Sequence, residues 1–249
     1  MQKNIFLFLL LAPFISFSQD NNSTAKNKSA AEVIPTKVFY SQKLINSNTV
    51  EVLPKGIMEF RVAHAFGDIG GSNGGIKSFY GLDAATDIRI GFQTGLTNRL
   101  NLITARSRGD YAGGTLRQLW ELGLKYQILQ QKDNDSKSPF SLTVFVNTVA
   151  SSMPTTYTET HQLDGYESNF RNFSDRLSEV VQVMVARKFG KVSFQLTPTY
   201  VHRSITLQDS LHHDLDDKGI LAIGGAARIP LSKKFVLILD YFHPFRSKA

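Results

Sequence analysis

The chain has 249 residues and no cysteine, which excludes a disulfide framework, thiolate metal sites and a thiol nucleophile. At 42% hydrophobic and 20% charged it is too apolar to be disordered, and a mean hydropathy of -0.15 is too polar for a bundle of membrane helices. The net charge of +7 would point to nucleic acid only if the cations formed one binding patch, and their placement along the chain argues otherwise.

Lys3 opens the chain, and a mostly apolar run from Ile5 to Phe17 follows it. A transmembrane helix needs about 20 apolar residues. This run is shorter, contains Pro13 and leads into Ser16 and Ser18, small residues at the two positions that a signal peptidase reads. Residues 1–18 are therefore expected to be a signal peptide cleaved before Gln19, and with no cysteine to acylate, the mature chain is expected to be exported without a lipid anchor. Residues 19–54 read as a periplasmic tail and lead-in. Its first part, 19–35, is polar and small, with no period, and is expected to be a flexible tail.

From Lys55 to the end, period-2 alternation dominates, and 55–249 reads as one all-β domain. The clearest strand is 119–128, where Trp120, Leu122, Leu124, Tyr126 and Ile128 oppose Glu121, Gly123, Lys125 and Gln127. Residues 88–96 and 192–200 alternate in the same way, with Pro198 predicting a bulge or a strand edge in the latter. Less regular candidates lie at 56–66, 99–106, 140–150, 177–189, 219–229 and 234–243, which brings the number of strands to nine.

Tight turns at 97–98, 190–191 and 232–233 and a modest turn at 131–139 alternate with long loops at 67–86, 151–172 and 204–218 and a loop through Arg108, Gly109, Asp110 and Tyr111. In an antiparallel sheet successive connections fall at opposite ends, so one end carries turns and the other carries loops. That asymmetry, with strands of about 9 to 11 residues, predicts an antiparallel up-and-down membrane β-barrel. Arg99, Lys132, Lys137, Arg187, Lys188, Lys191, Lys233 and Lys234 crowd the turn end, which makes the basic excess a ring at one rim. Tyr126, Phe189, Tyr200, Tyr241 and Phe242 lie near strand ends, where aromatic girdles form. A soluble periplasmic barrel with an apolar ligand is the alternative. In a lipocalin-like barrel, however, the apolar face points inward and the charged face outward, whereas here the polar face is rich in Gly, Ser, Thr and Gln.

Three stretches carry a resemblance: Leu53 to Asp68; Phe79 to Asp83 with Asp87 to Phe92; and Pro198 to Arg203. Together they resemble a β-barrel family of unknown function from Bacteroidetes-type Gram-negative bacteria, over roughly residue 36 to the end. The resemblance implies an outer-membrane barrel, carries over no catalytic or binding residue, and implies further strands beyond the ninth. Bacterial single-chain barrels have an even strand number. The barrel is therefore expected to be incomplete at the C-terminus, with free edges at the first and ninth strands.

Parity places Glu59, Arg61, Arg89, Glu121 and Lys125 on the lumen face, where they would either neutralise one another or set the selectivity of a small pore. His212, His213 and Asp214 supply weak candidate metal ligands, but adjacent histidines point apart on an extended backbone, and a solvated loop is the expectation. The glycine-rich 67–75 segment lacks the Gly-Lys-Ser/Thr run of a phosphate loop. A lipid-modifying enzyme would have to draw on His64, His202 and Ser204, which no local motif joins. The expectation is thus a non-enzymatic outer-membrane barrel of pore, transport or scaffold type. It needs no cofactor, has membrane lipid and not nucleic acid as its partner, and carries no signal that names a protein partner.

Overall fold

The computed structural model describes residues 35–66, 70, 75–83, 87–109, 118–133, 135–155, 170–204, 206 and 216–247. Nine strands form one sheet: β1 (Met58–Ala65), β2 (Asp87–Gly95), β3 (Leu100–Arg108), β4 (Gln118–Leu129), β5 (Ser141–Ser151), β6 (Leu177–Phe189), β7 (Val192–Arg203), β8 (Gly219–Pro230) and β9 (Val236–Phe245). Spatial order equals chain order, and every neighbouring pair is antiparallel. This is the up-and-down architecture that the alternating connections predict. Among the described residues β1 and β9 do not pair with each other, so the sheet is open at the two expected edges.

The sheet is nonetheless strongly curled. Nine flat strands about 4.8 Å apart would set β1 and β9 roughly 38 Å from each other. Ser41 nevertheless meets Arg61 of β1 at 3.2 Å, and Asn46 meets Asp240 of β9 at 2.7 Å. The chain between Ser41 and Asn46 can stretch no further than about 18 Å, so the two edges have to curve toward each other.

The two faces differ in the sense that parity predicts. On β4, Trp120, Leu122, Leu124 and Tyr126 are 42–60% exposed, whereas the intervening Lys125 and Gln127 are 1% and 5% exposed. Phe60, Ile90, Phe92, Leu196, Leu221 and Ile223 continue the outer apolar face across β1, β2, β7 and β8. A lipocalin-like barrel would have the opposite arrangement.

Two local expectations are corrected. Pro198 sits neither at a bulge nor at a strand edge, because β7 is an interior strand whose register with β6 is the same on both sides of it, from Gln182↔Thr199 to Val185↔Leu196. Pro198 lacks an N–H, and the ladder to β6 is interrupted there without a shift, while pairing to Ile223 on β8 continues. The one register shift in the sheet lies between Gln127 and Leu129, opposite β5. Phe242 faces inward, not toward a girdle: its ring covers Gly224, where an added Cβ would lie 2.4 Å from it.

The lead-in is built into the fold from Thr36 onward. It enters at the turn end, where Pro35 bridges Lys132 and the Thr36 N–H donates to the Gln131 carbonyl. It then crosses the inner face as a small hairpin, with Thr49 N–H bonded to Gln42 O and Leu44 N–H to Ser47 O, and leaves through a turn at Pro54–Ile57 into β1. The buried apolar core lies here, with Val38, Phe39 and Val50 of the lead-in against Ile103, Phe145, Met184 and Ala186 of the wall.

Candidate functional site

The inner face binds the 36–54 segment mostly through its backbone. Gln195 accepts the Val50 N–H at 3.0 Å and donates to Asn48 O at 2.7 Å. Gln127 and Thr143 both donate to Val50 O, Ser193 donates to Val38 O, and Asn101 both accepts from Leu53 N and donates to Leu53 O. The hairpin tip is held from the opposite edge, where one Asp240 oxygen takes the Asn46 and Ser47 N–H groups at 2.7 and 2.8 Å. Within the segment, Glu51 accepts the Val38 and Phe39 N–H groups. Burial pushes the Glu51 carboxyl above its ordinary range, against the pull of those two bonds and of Lys125. Where the hairpin does not pair its own backbone, as at Asn46, Ser47, Val50 and Leu53, this wall of short amide, hydroxyl and carboxylate side chains does what a sheet partner would.

The five charges placed on the lumen by parity all lie on the inner face. Glu59 and Arg61, two apart on β1, pair at 2.7 Å. Arg89 on β2 reaches past β3 to Glu121 on β4, with Nε at 2.9 Å and Nη2 at 2.8 Å from the carboxylate, and Ser107 on the intervening strand donates to the same group at 2.8 Å. Such a bidentate guanidinium–carboxylate pair fixes both side chains. Lys125 stands apart from these pairs: its ammonium is buried under the hairpin, 3.4 Å from both the backbone and the side-chain oxygen of Gln42.

A cavity of about 130 Å³ lies between the hairpin and the wall, lined by Lys43, Asn48, Glu59, Arg61, Arg89, Gln93, Glu121 and Asn147 among others. Lys43, Gln42, Asn147, Glu51 and Asp240 are its unanticipated members and supports. Asn147 and Asp240 share the inward parity of their strands. Lys43 could have been flagged only by its place between the apolar Val38, Phe39, Leu44 and Val50, a cluster unlike a free tail.

The remaining candidates do not assemble into a centre. His64 lies on β1 and His202 on β7, where the His202 ring nitrogen is 2.9 Å from Glu179 on β6. His212, His213 and Asp214 lie outside the described residues, and among the described ones no group of three metal-ligating side chains forms. At the loop end Arg203 binds Asp216, and that hydrogen bond holds the Asp216 carboxyl below the usual carboxylate range.

An outer face that is mostly apolar, interrupted on β3 by Thr104, Arg106 and Arg108, and an inner face that is largely polar and charged and is filled match a wall standing in lipid. No curated protein and no solved structure matches the chain. Residues 39–249, from the lumen segment to the last residue, match the family DUF5777, described as a membrane bound beta barrel domain, and the chain belongs to that family.

Proposed function

We propose that the protein is an outer-membrane barrel that handles small polar solutes without covalent chemistry, its lumen narrowed by its own residues 36–54. The observation that carries this reading is the pairing of a lipid-compatible exterior with an interior whose charges are ordered around a remaining cavity. A wide diffusive pore would leave the inner face wet, but here Lys125, Thr143, Ser193, Gln195 and Thr197 are covered. Selectivity then belongs to the narrow charged space between the hairpin and the wall, as in rings of side-chain charge elsewhere.

The full chain should be recovered in the outer-membrane fraction and should require detergent for extraction. In planar bilayers it should conduct little. Gln195→Leu, which strips the Val50 N–H and Asn48 carbonyl of their partner, should raise single-channel conductance severalfold. Recovery without detergent, or equal conductance in the two proteins, would refute the proposal.

A further inference from the structure

Three cations, Lys43, Arg61 and Arg89, and two carboxylates, Glu59 and Glu121, line the cavity between hairpin and wall. Each carboxylate is already taken by a guanidinium, Glu59 by Arg61 and Glu121 by Arg89. The Lys43 ammonium has no hydrogen-bond or ion-pair partner among the described residues; burial lowers its pKa, and Glu121 and Asp240 attract it from beyond contact distance, so within the lining one cation is left without a carboxylate in contact. On the β5 side of the same cavity the Asn147 side-chain oxygen is buried and accepts no hydrogen bond. A buried acceptor without a donor is costly and marks a place where a donor is expected.

We propose that the cavity binds a small, singly charged oxyanion that also carries a hydroxyl donor. The anionic oxygens meet the Lys43 ammonium, and the hydroxyl donates to Asn147 Oδ1. One ammonium without a contacting carboxylate matches a monoanion and leaves a dianion half-neutralised. The free acceptor disfavours anions that bring no donor, such as chloride or acetate. A water molecule needs only ~15 Å³ of such space, so about 130 Å³ admits a solute of several heavy atoms but not a sugar chain or a lipid. The guanidinium groups, already held by Glu59 and Glu121, act as walls. Two sources share this chemistry, a hydroxycarboxylate and dihydrogen phosphate.

This inference rests on the lumen being open to solute, and its test is independent of conductance. Equilibrium dialysis of the full chain in neutral detergent would use lactate, inorganic phosphate at pH 6, acetate and choline as probes. Lactate or phosphate should bind, and acetate should bind several-fold more weakly. Lys43→Gln should weaken binding about tenfold or more, as expected when a partly buried charge loses its counterpart. Asn147→Leu should erase the preference for lactate over acetate. Tighter lactate binding assigns the site to hydroxycarboxylates, and tighter phosphate binding assigns it to phosphate. Absence of binding by both, acetate equal to lactate in the unaltered chain, or affinity unchanged in Lys43→Gln would overturn the proposal. Binding with no effect of Gln195→Leu on conductance would leave the site standing and sink only the pore reading.

Discussion

Glu51 is the residue on which the seating of the lumen segment depends most directly. It accepts the Val38 and Phe39 N–H groups that a strand would otherwise pair, and Lys125 lies close enough to attract it. Burial nevertheless dominates and raises its carboxyl pKa on folding. A raised carboxyl pKa stabilises the folded arrangement fully below the unfolded value, and the contribution is lost as pH rises through the folded value. The segment should thus sit more tightly at mildly acidic than at neutral pH. Hydrogen-exchange protection factors at Val38 and Phe39 should fall across that interval. Glu51→Gln keeps an acceptor and removes the titration, and should give protection that does not change with pH. A pH dependence that survives in Glu51→Gln would assign the effect to another group.

At the scale of elements, each strand supplies one lipid-facing row and one inward row, and the lead-in is the tenth element that the inward rows need. It lies directly against the wall at Gly95 on β2, where an added Cβ would collide with the Pro54 and Leu53 carbonyl oxygens. Only glycine lets the returning backbone lie directly on the strand there. Gly95→Ala should push the segment off the wall and expose residues 36–54 to protease at least several-fold faster. The sheet itself should survive, since its pairing partner at that position is Asn101 on β3. Gly225→Ala, on β8 with open space around the new methyl, should leave cleavage unchanged. Equal cleavage of the two variants would mean that the contact at Gly95 does not hold the segment.

For the whole molecule, the alternation of turns and loops sets an orientation. In the outer-membrane barrel proposed above, an exported chain would start in the periplasm, so β1 would run outward, the turn at Ser232 would face the periplasm, and Ser174, at the opposite end of the sheet, would face the exterior. The absence of cysteine makes this simple to examine. On intact cells a membrane-impermeant maleimide should label Ser174→Cys and spare Ser232→Cys, both of which are exposed positions. Labelling of Ser232→Cys alone would reverse the topology. Among the described residues the outer edges of β1 and β9 pair with no further strand, and unpaired edge donors and acceptors are costly in hydrocarbon. The hairpin contacts the side chains of both edge strands, Asp240 on β9 and Arg61 on β1, and so bridges the two edges from inside without pairing their backbones.

Period-2 alternation was sufficient to locate all nine strands and to assign the faces of the clearest ones, β2, β4 and β7, because side chains of a pleated strand point alternately to solvents of different polarity and each solvent selects its own residues. It also placed Glu59, Arg61, Arg89, Glu121 and Lys125 on one face, though not which carboxylate each guanidinium takes. Alternation is weakest in β3, β5 and β6, and the structure shows the cause: Ile103, Phe145 and Met184 point inward but meet Val38, Phe39 and Val50 instead of water. A sequence pattern reports polarity, not the partner that supplies it. The seat of residues 36–54 was decided only by tertiary structure. Its hydrogen bonds join residues as distant as Val50 and Gln195 or Asn46 and Asp240, and a segment whose amides are satisfied so far along the chain carries no local period to betray it.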